Sequence, residues 1–212
     1  MSTAFKNFQT SKLEAYKGDL KAGGWCYADD AYRTEQVDLS TTQPLTESEK
    51  EAIYRSGTYN EEYGYWENGQ SMYYDSYVRL YGNSTKTPTL KCNGTTMDKF
   101  GDNTTEMYVG ALTADEIVYA GLDTNWTENY TYYLMNDYQR GKSLYWWALS
   151  PYSFGGDYGG DSAFYVGSDG SLRVDYVGYG GPSFRPAVSL ASSAEITDWV
   201  GTIDDPYIIK TN

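Results

Sequence analysis

The sequence predicts an α+β domain of irregular antiparallel strands with one or two short core helices and an N-terminal amphipathic helix. Three observations carry this. Tyrosine is the most frequent residue, 24 of 212, while Leu and Ile are few, which favours strands and a large aromatic surface over a helical bundle. Two capping-box patterns, Thr46-x-x-Glu49 and Thr113-x-x-Glu116, each open a short run that closes on a glycine. Between the strand-like segments WWALSP (146–151) and FRPAVSL (184–190) lies an insert with nine glycines at residues 155–181. It is too apolar for a free linker and too glycine-rich for a helix, so it reads as strands carrying display loops.

Residues 2–20 set Phe5, Phe8, Leu13, Tyr16 and Leu20 at near-helical spacing, and Gly23-Gly24 ends the pattern. Residues 1–24 are therefore expected to form a helical appendage, and 25–212 the main domain. Residues 25–43 read as a strand followed by a loop. The first capping box starts a helix through Glu51, Ala52 and Ile53 that stops by Gly57. In the tyrosine-rich stretch that follows, YNEEYGYWENGQ reads as an exposed loop and SMYYDSYVRLYG, by its alternation, as a strand. Asn93-Gly94 signals a hairpin turn. The second capping box starts TADEIVYAG, with Ile117, Val118 and Ala120 toward a core and Gly121 closing the helix. Residues 131–135 read as a strand, 187–190 as a core strand, and Asp205-Pro206 opens a last short strand at 207–209.

The insert has a restricted vocabulary. Lys, Glu, Gln, Trp and Met supply 38 of the other 179 residues and none of the 33 at 152–184. Tyr, Ser and Gly with scattered Asp and Arg is the vocabulary of evolved binding surfaces, where Tyr gives rigid contact area and Ser and Gly adaptable hydrogen bonding. A structural alternative stands beside it, because Gly-rich strand and loop structures also avoid long charged side chains.

WWALSP, then Ala163, the Ser-Asp-Gly-Ser-Leu turn at 168–172 and FRPAVSL resemble the variable segment of bacterial surface proteins with a C-type-lectin-type fold. These are the proteins diversified by retroelements and carried by type IV pilin-like proteins of gut bacteria. Val109-Gly-Ala-Leu-Thr-Ala-Asp-Glu-Ile-Val-Tyr-Ala-Gly and the closing Gly201-Thr-Ile-Asp-Asp-Pro-Tyr-Ile-Ile are similar to parts of the same domains. Ser183 departs from the glycine that relatives, like the formylglycine-generating enzymes, carry before Phe-Arg. The resemblance implies a C-type-lectin-type fold and a hypervariable ligand-binding protein with variable segment 152–184. It places the protein on a bacterial surface, outside the cell, or on a phage virion. Retroelements of this kind randomise adenines in Asn codons, and the products never include Lys, Glu, Gln, Trp or Met, the set missing here. Cys26 and Cys92 are either a disulfide or two buried thiols, and the resemblance to surface proteins favours the bridge.

The expected aromatic anchors are Tyr152, Phe154, Tyr158, Phe164, Tyr165, Tyr176, Tyr179 and Phe184. The expected polar contacts are Asp157, Asp161, Ser162, Ser168, Asp169, Arg173 and Asp175, with Ser183 beside Phe184. Ala163, Gly170, Leu172, Val177, Arg185 and Pro186 are assigned to the scaffold. The ligand is expected to be a protein or glycan on another surface; assembly into a pilus or larger structure and a fixed-specificity lectin-like domain are the alternatives. Net charge −13 disfavours nucleic acid and anionic membrane as partners. No apolar run approaches membrane-spanning length, so no direct insertion is expected. The chain has no histidine, which excludes Ser-His-Asp and Cys-His catalysis and His-ligated zinc, and no enzyme activity or cofactor is expected. The copper-binding cysteines of formylglycine-generating enzymes lie in the C-terminal half of that fold, whereas Cys26 and Cys92 both precede the core motif. A structural calcium near Asp157, Asp161, Asp169 and Asp175 is less favoured than solvated loop aspartates.

Overall fold

The computed structural model describes residues 2–27, 30–62, 65–67, 69–82, 86–92, 95–122, 124, 145–155, 161–178, 181–196 and 208–210. Short helices and mainly antiparallel strands make it an α+β structure. The chain divides into two units. One comprises Met1–Trp25, Thr96–Ala111 and Arg185–Asn212, the other Cys26–Thr95 and Leu112–Phe184.

The second unit is built on the strand Trp146–Phe154, nine residues long. Its apolar residues alternate, and alternation puts successive side chains on opposite faces. Trp146, Ala148 and Tyr152 turn to one face and join the core with Phe164, Val166 and Leu172. Pro151 lies within the strand and has no N–H for the ladder. The register against Ser162–Val166 shifts on both sides of it, between Trp147 and Pro151 and between Pro151 and Ser153. The sheet runs in the order Leu172–Tyr176, Ser162–Val166, Trp146–Phe154, Met72–Tyr74, Ala31–Tyr32, all antiparallel. Ser183–Phe184 lies parallel to Trp146 and Trp147.

Both capping boxes form. Thr46 and Glu49 cap Glu47–Tyr54, Thr113 and Glu116 cap Ala114–Tyr119, and the fully buried Ile53 and Ile117 anchor the two helices. Ala120, expected in the core, is exposed. The helix has already ended there, with Gly121 at φ +107, and Ala114 takes the buried place. The stretch SMYYDSYVRLYG is a strand only at Met72–Tyr74; a helical turn, Asp75–Tyr77, and a π-helical turn, Val78–Gly82, follow. The cause is a buried ion network that needs helical spacing. Arg79 reaches back four residues to Asp75 and across to Asp115, donating from Nε to Oδ1 at 2.9 Å and from the guanidinium to Oδ2 at 2.8 Å. The stretch read as an exposed loop is a hairpin, Thr58–Asn60 against Tyr65–Glu67, and the Asn60 side chain accepts the Glu62 N–H to start its turn. The structure joins Cys26 to Cys92, 5.5 Å apart at Cα.

In the first unit, residues 2–19 are helical but change winding: α over Ser2–Phe8, π over Gln9–Leu13, 3-10 over Glu14–Asp19. The change of pitch leaves Tyr16 exposed and turns Gln9 inward, where it donates to the Glu106 carbonyl and accepts the Tyr108 N–H. Trp25 lies so close to Gly110 that a Cβ there would stand 2.5 Å from its ring. The expected core strand at 187–190 is only Ala187–Val188, paired with Val109–Gly110 and with Val188 exposed, because a two-stranded ladder covers little of it. Ile209–Lys210 pairs with Glu195–Ile196. The turn at Asn93-Gly94, the strand at 131–135 and the Asp205-Pro206 opening lie outside the described residues.

Two outcomes test this packing in denaturant unfolding. Phe164→Ala is expected to cost about 3–5 kcal/mol, as a buried aromatic does. Tyr176→Ala, on the same face but exposed at the strand's end, should cost under about 1 kcal/mol, and equal losses at the two sites would refute the burial assigned to Phe164. Arg79→Leu leaves two buried carboxylates uncompensated and is expected to cost about 3–5 kcal/mol. Arg55→Leu removes an exposed pair with Glu51 at the same i,i+4 spacing, and its unfolding midpoint should stay at the wild-type value.

Candidate functional site

The hairpin of Ser162–Val166 and Leu172–Tyr176 carries most of the described part of the insert. Its turn is built by the residues the sequence supplies there. Gly170 adopts φ +76, a left-handed conformation that favours glycine, and donates to the Gly167 carbonyl at 3.0 Å. Gly167 donates to Ser171 at 2.9 Å. The Asp169 carboxylate accepts the Ser171 N–H at 3.1 Å and hydroxyl at 2.7 Å, and pairs with the Arg173 guanidinium, whose Nε donates to the Ser171 hydroxyl at 2.7 Å. Burial opposes the charge on Asp169. The Ser171 hydrogen bonds and Arg173 outweigh it and hold the carboxyl below the usual range. Ser168 is half-buried in the same turn.

The register pairs Leu172 with Val166, Arg173 with Tyr165, Val174 with Phe164, Asp175 with Ala163, and Tyr176 with Ser162. Period two then divides the expected contact residues between two faces. Phe164 is 0 % exposed in the core, and Phe154 is 5 % exposed in a second cluster with Ile53 and Met72. Tyr152 is half-buried, edge-on to Tyr77 at 4.4 Å and Phe164 at 5.2 Å. These three aromatics are packing residues, a correction that their places in the two clusters require. Tyr165, Arg173 and Asp175 occupy the opposite face, half-exposed, over Trp147 and Ala163.

Two residues that the sequence reading did not place in the site join this face. The Tyr165 ring stands edge-on to Tyr145 at 5.8 Å and to Trp147 at 5.9 Å. Trp147 was legible only as a strand anchor, since its pairing opposite Tyr165 depends on register. Burial pushes the Tyr165 phenol above its usual value, with Arg173 pulling the other way, so it is a neutral hydrogen-bond donor at pH 7. Ser183 is exposed, but its N–H and hydroxyl are both spent on the Tyr145 carbonyl, at 2.8 and 2.9 Å. Phe184 is half-buried opposite Trp147. Asp161 and Tyr176 are exposed and Ser162 half-buried. Val177, assigned to the scaffold, is 53 % exposed, because it follows the last residue of the strand. Asp157, Tyr158 and Tyr179 lie outside the described residues.

The outermost strand, Leu172–Tyr176, presents a blunted edge. Hydrogen bonds from Gly167 to Ser171 and from Val177 to Asp161 fix the ladder's phase, so Leu172, Val174 and Tyr176 turn their backbone groups away from the neighbouring strand. The Tyr81 hydroxyl donates to the Leu172 carbonyl at 3.0 Å, and the Asp175 carboxylate accepts the Tyr176 N–H at 2.8 Å. Side chains thus occupy edge groups that a further strand would use. The face offers ring edges, a guanidinium and carboxylates, which is binding chemistry. Among the described residues, no group of three or more Asp, Glu or Cys is placed to hold a metal ion, and no helix is long and apolar enough to cross a membrane. Comparison with known proteins finds no match among family models, curated proteins or solved structures.

Asp169→Asn tests the turn through its pH dependence. The carboxyl's lowered value means its contribution is complete above the unfolded value, about pH 3.9, and disappears as pH falls through the folded one. The variant should therefore melt below wild type at pH 7, and the gap should close below about pH 3.9. A gap unchanged in acid would show that the carboxylate charge contributes nothing.

Proposed function

We propose that this chain is a ligand-binding protein of C-type-lectin-type fold that displays a diversified surface from the bacterial cell or a phage virion. The observation that carries the reading is the division of one hairpin into two independent faces. Phe164, Val166, Leu172 and Val174 belong to the core, while Tyr165, Arg173 and Asp175 stand outside it, Arg173 also bracing the turn through Asp169. The restricted vocabulary at 152–184 and the resemblance of WWALSP and FRPAVSL support the same reading. So does chemistry: Tyr, Trp and Arg are the residues that dominate binding energy at protein interfaces. The ligand is a protein or glycan on another surface, met by the sheet face, since the adjoining edge is blunted.

Binding of the purified protein to arrays of cell-surface proteins and glycans, followed by substitution, tests this. Tyr165→Ala should weaken binding by about tenfold or more with Tm nearly unchanged, while Arg173→Ala should weaken binding and also lower Tm, because Arg173 pairs with Asp169 in the turn. A ligand bound equally well by both variants would place the site elsewhere. A library randomised at Tyr165, Asp175 and Tyr176 should still fold in most members, whereas one randomised at Phe164, Val166 and Leu172 should not.

A further inference from the structure

Residues 86–92 form a strap over the buried ion network. Thr87, Thr89 and Cys92 each tie it down. Thr87 donates its N–H to the Arg79 carbonyl at 3.2 Å, Thr89 donates to Asp115 Oδ1 at 3.0 Å, and Cys92 is bonded to Cys26. Beneath it is a small cavity lined by Arg79, Asp115, Thr113, Ser150 and both cysteines. Arg79, Asp75 and Asp115 are buried, so their pairing depends on water staying out. Both cysteines are half-buried, and Leu90 at the tip of the strap is 61 % exposed. Among the strap's attachments are therefore one covalent bond that a solution thiol can reach and hydrogen bonds that compete with water once it is gone.

We propose that Cys26–Cys92 is a thiol-sensitive clamp: a reducing dithiol frees the strap and admits water to the Arg79–Asp115 pair. One thiolate of the dithiol attacks a bridge sulfur, forming a mixed disulfide and expelling the other cysteine as thiolate, which takes up a proton. The second thiol then displaces the remaining cysteine. The bridge gains two electrons and two protons, and the dithiol becomes a cyclic disulfide. The released network reaches the long strand directly, because Ala114 donates to the Ser150 hydroxyl at 3.0 Å and the Ser76 hydroxyl donates to the Pro151 carbonyl at 2.7 Å.

Native-state amide hydrogen exchange with and without dithiothreitol, and on the Cys26→Ser/Cys92→Ser variant, tests the clamp. Thr87 and Thr89 should exchange about tenfold faster or more after reduction and in the variant, as a locally opened segment does. The Gly167 and Val177 amides of the hairpin should hold their rates within about twofold. Asp115→Asn should speed exchange at Thr89 while the bridge remains intact. Unchanged rates at Thr87 and Thr89 after reduction would overturn the proposal. So would equal acceleration in the hairpin or unfolding of the reduced protein, since the bridge would then support the whole unit rather than clamp a strap.

Discussion

Arg79 is the residue on which the larger unit turns. One guanidinium serves two buried carboxylates, Asp75 one helical turn behind it and Asp115 in the first turn of another helix. Burial pushes the Asp75 carboxyl above the usual range against the pull of Arg79. Removing Arg79 would leave two buried carboxylates without their counter-charge, so the guanidinium holds both in place. Because Asp75 follows Met72–Tyr74 and Asp115 lies in a capped helix, the network welds a strand, two helical turns and the strap into one corner.

That corner leaves the long strand free to do two jobs. Its core side carries Trp146, Ala148 and Tyr152, and its other side carries Trp147 under Tyr165. A sheet separates the requirements of stability and recognition by period alone, since residues on one face do not touch those on the other. Tyr165, Arg173 and Asp175 stand on the face opposite to Phe164 and Leu172, which the core encloses. The turn Ser168-Asp169-Gly170 adds rigidity, because Asp169 and Arg173 hold each other and Ser171. Part of the polar vocabulary of the insert thus serves its own architecture.

The chemistry on this face is that of contact. Its rings are edge-on and its tyrosine is neutral at pH 7. The acidic net charge of −13 favours partners that present cations or neutral surface.

The sequence by itself determined the α+β class, both capping boxes, the glycine turn at 168–170 and the strand beginning at Trp146, because each rests on contacts within a few residues. Local chemistry suffices when a Thr side chain caps an amide three residues on. Only the tertiary structure decided the rest. The helix at Asp75–Tyr77 overrode a strand-like alternation because its Arg79 finds Asp115, thirty-six residues away. The candidate site was legible as a segment and not as a surface. Composition marks residues 152–184 without saying which way each side chain points. Phe164 went inside and Tyr165 outside, and Tyr145 and Trp147 joined the face from before the insert, through strand register. Register is a property of paired strands, set by where the hairpin turns and where Pro151 breaks the ladder.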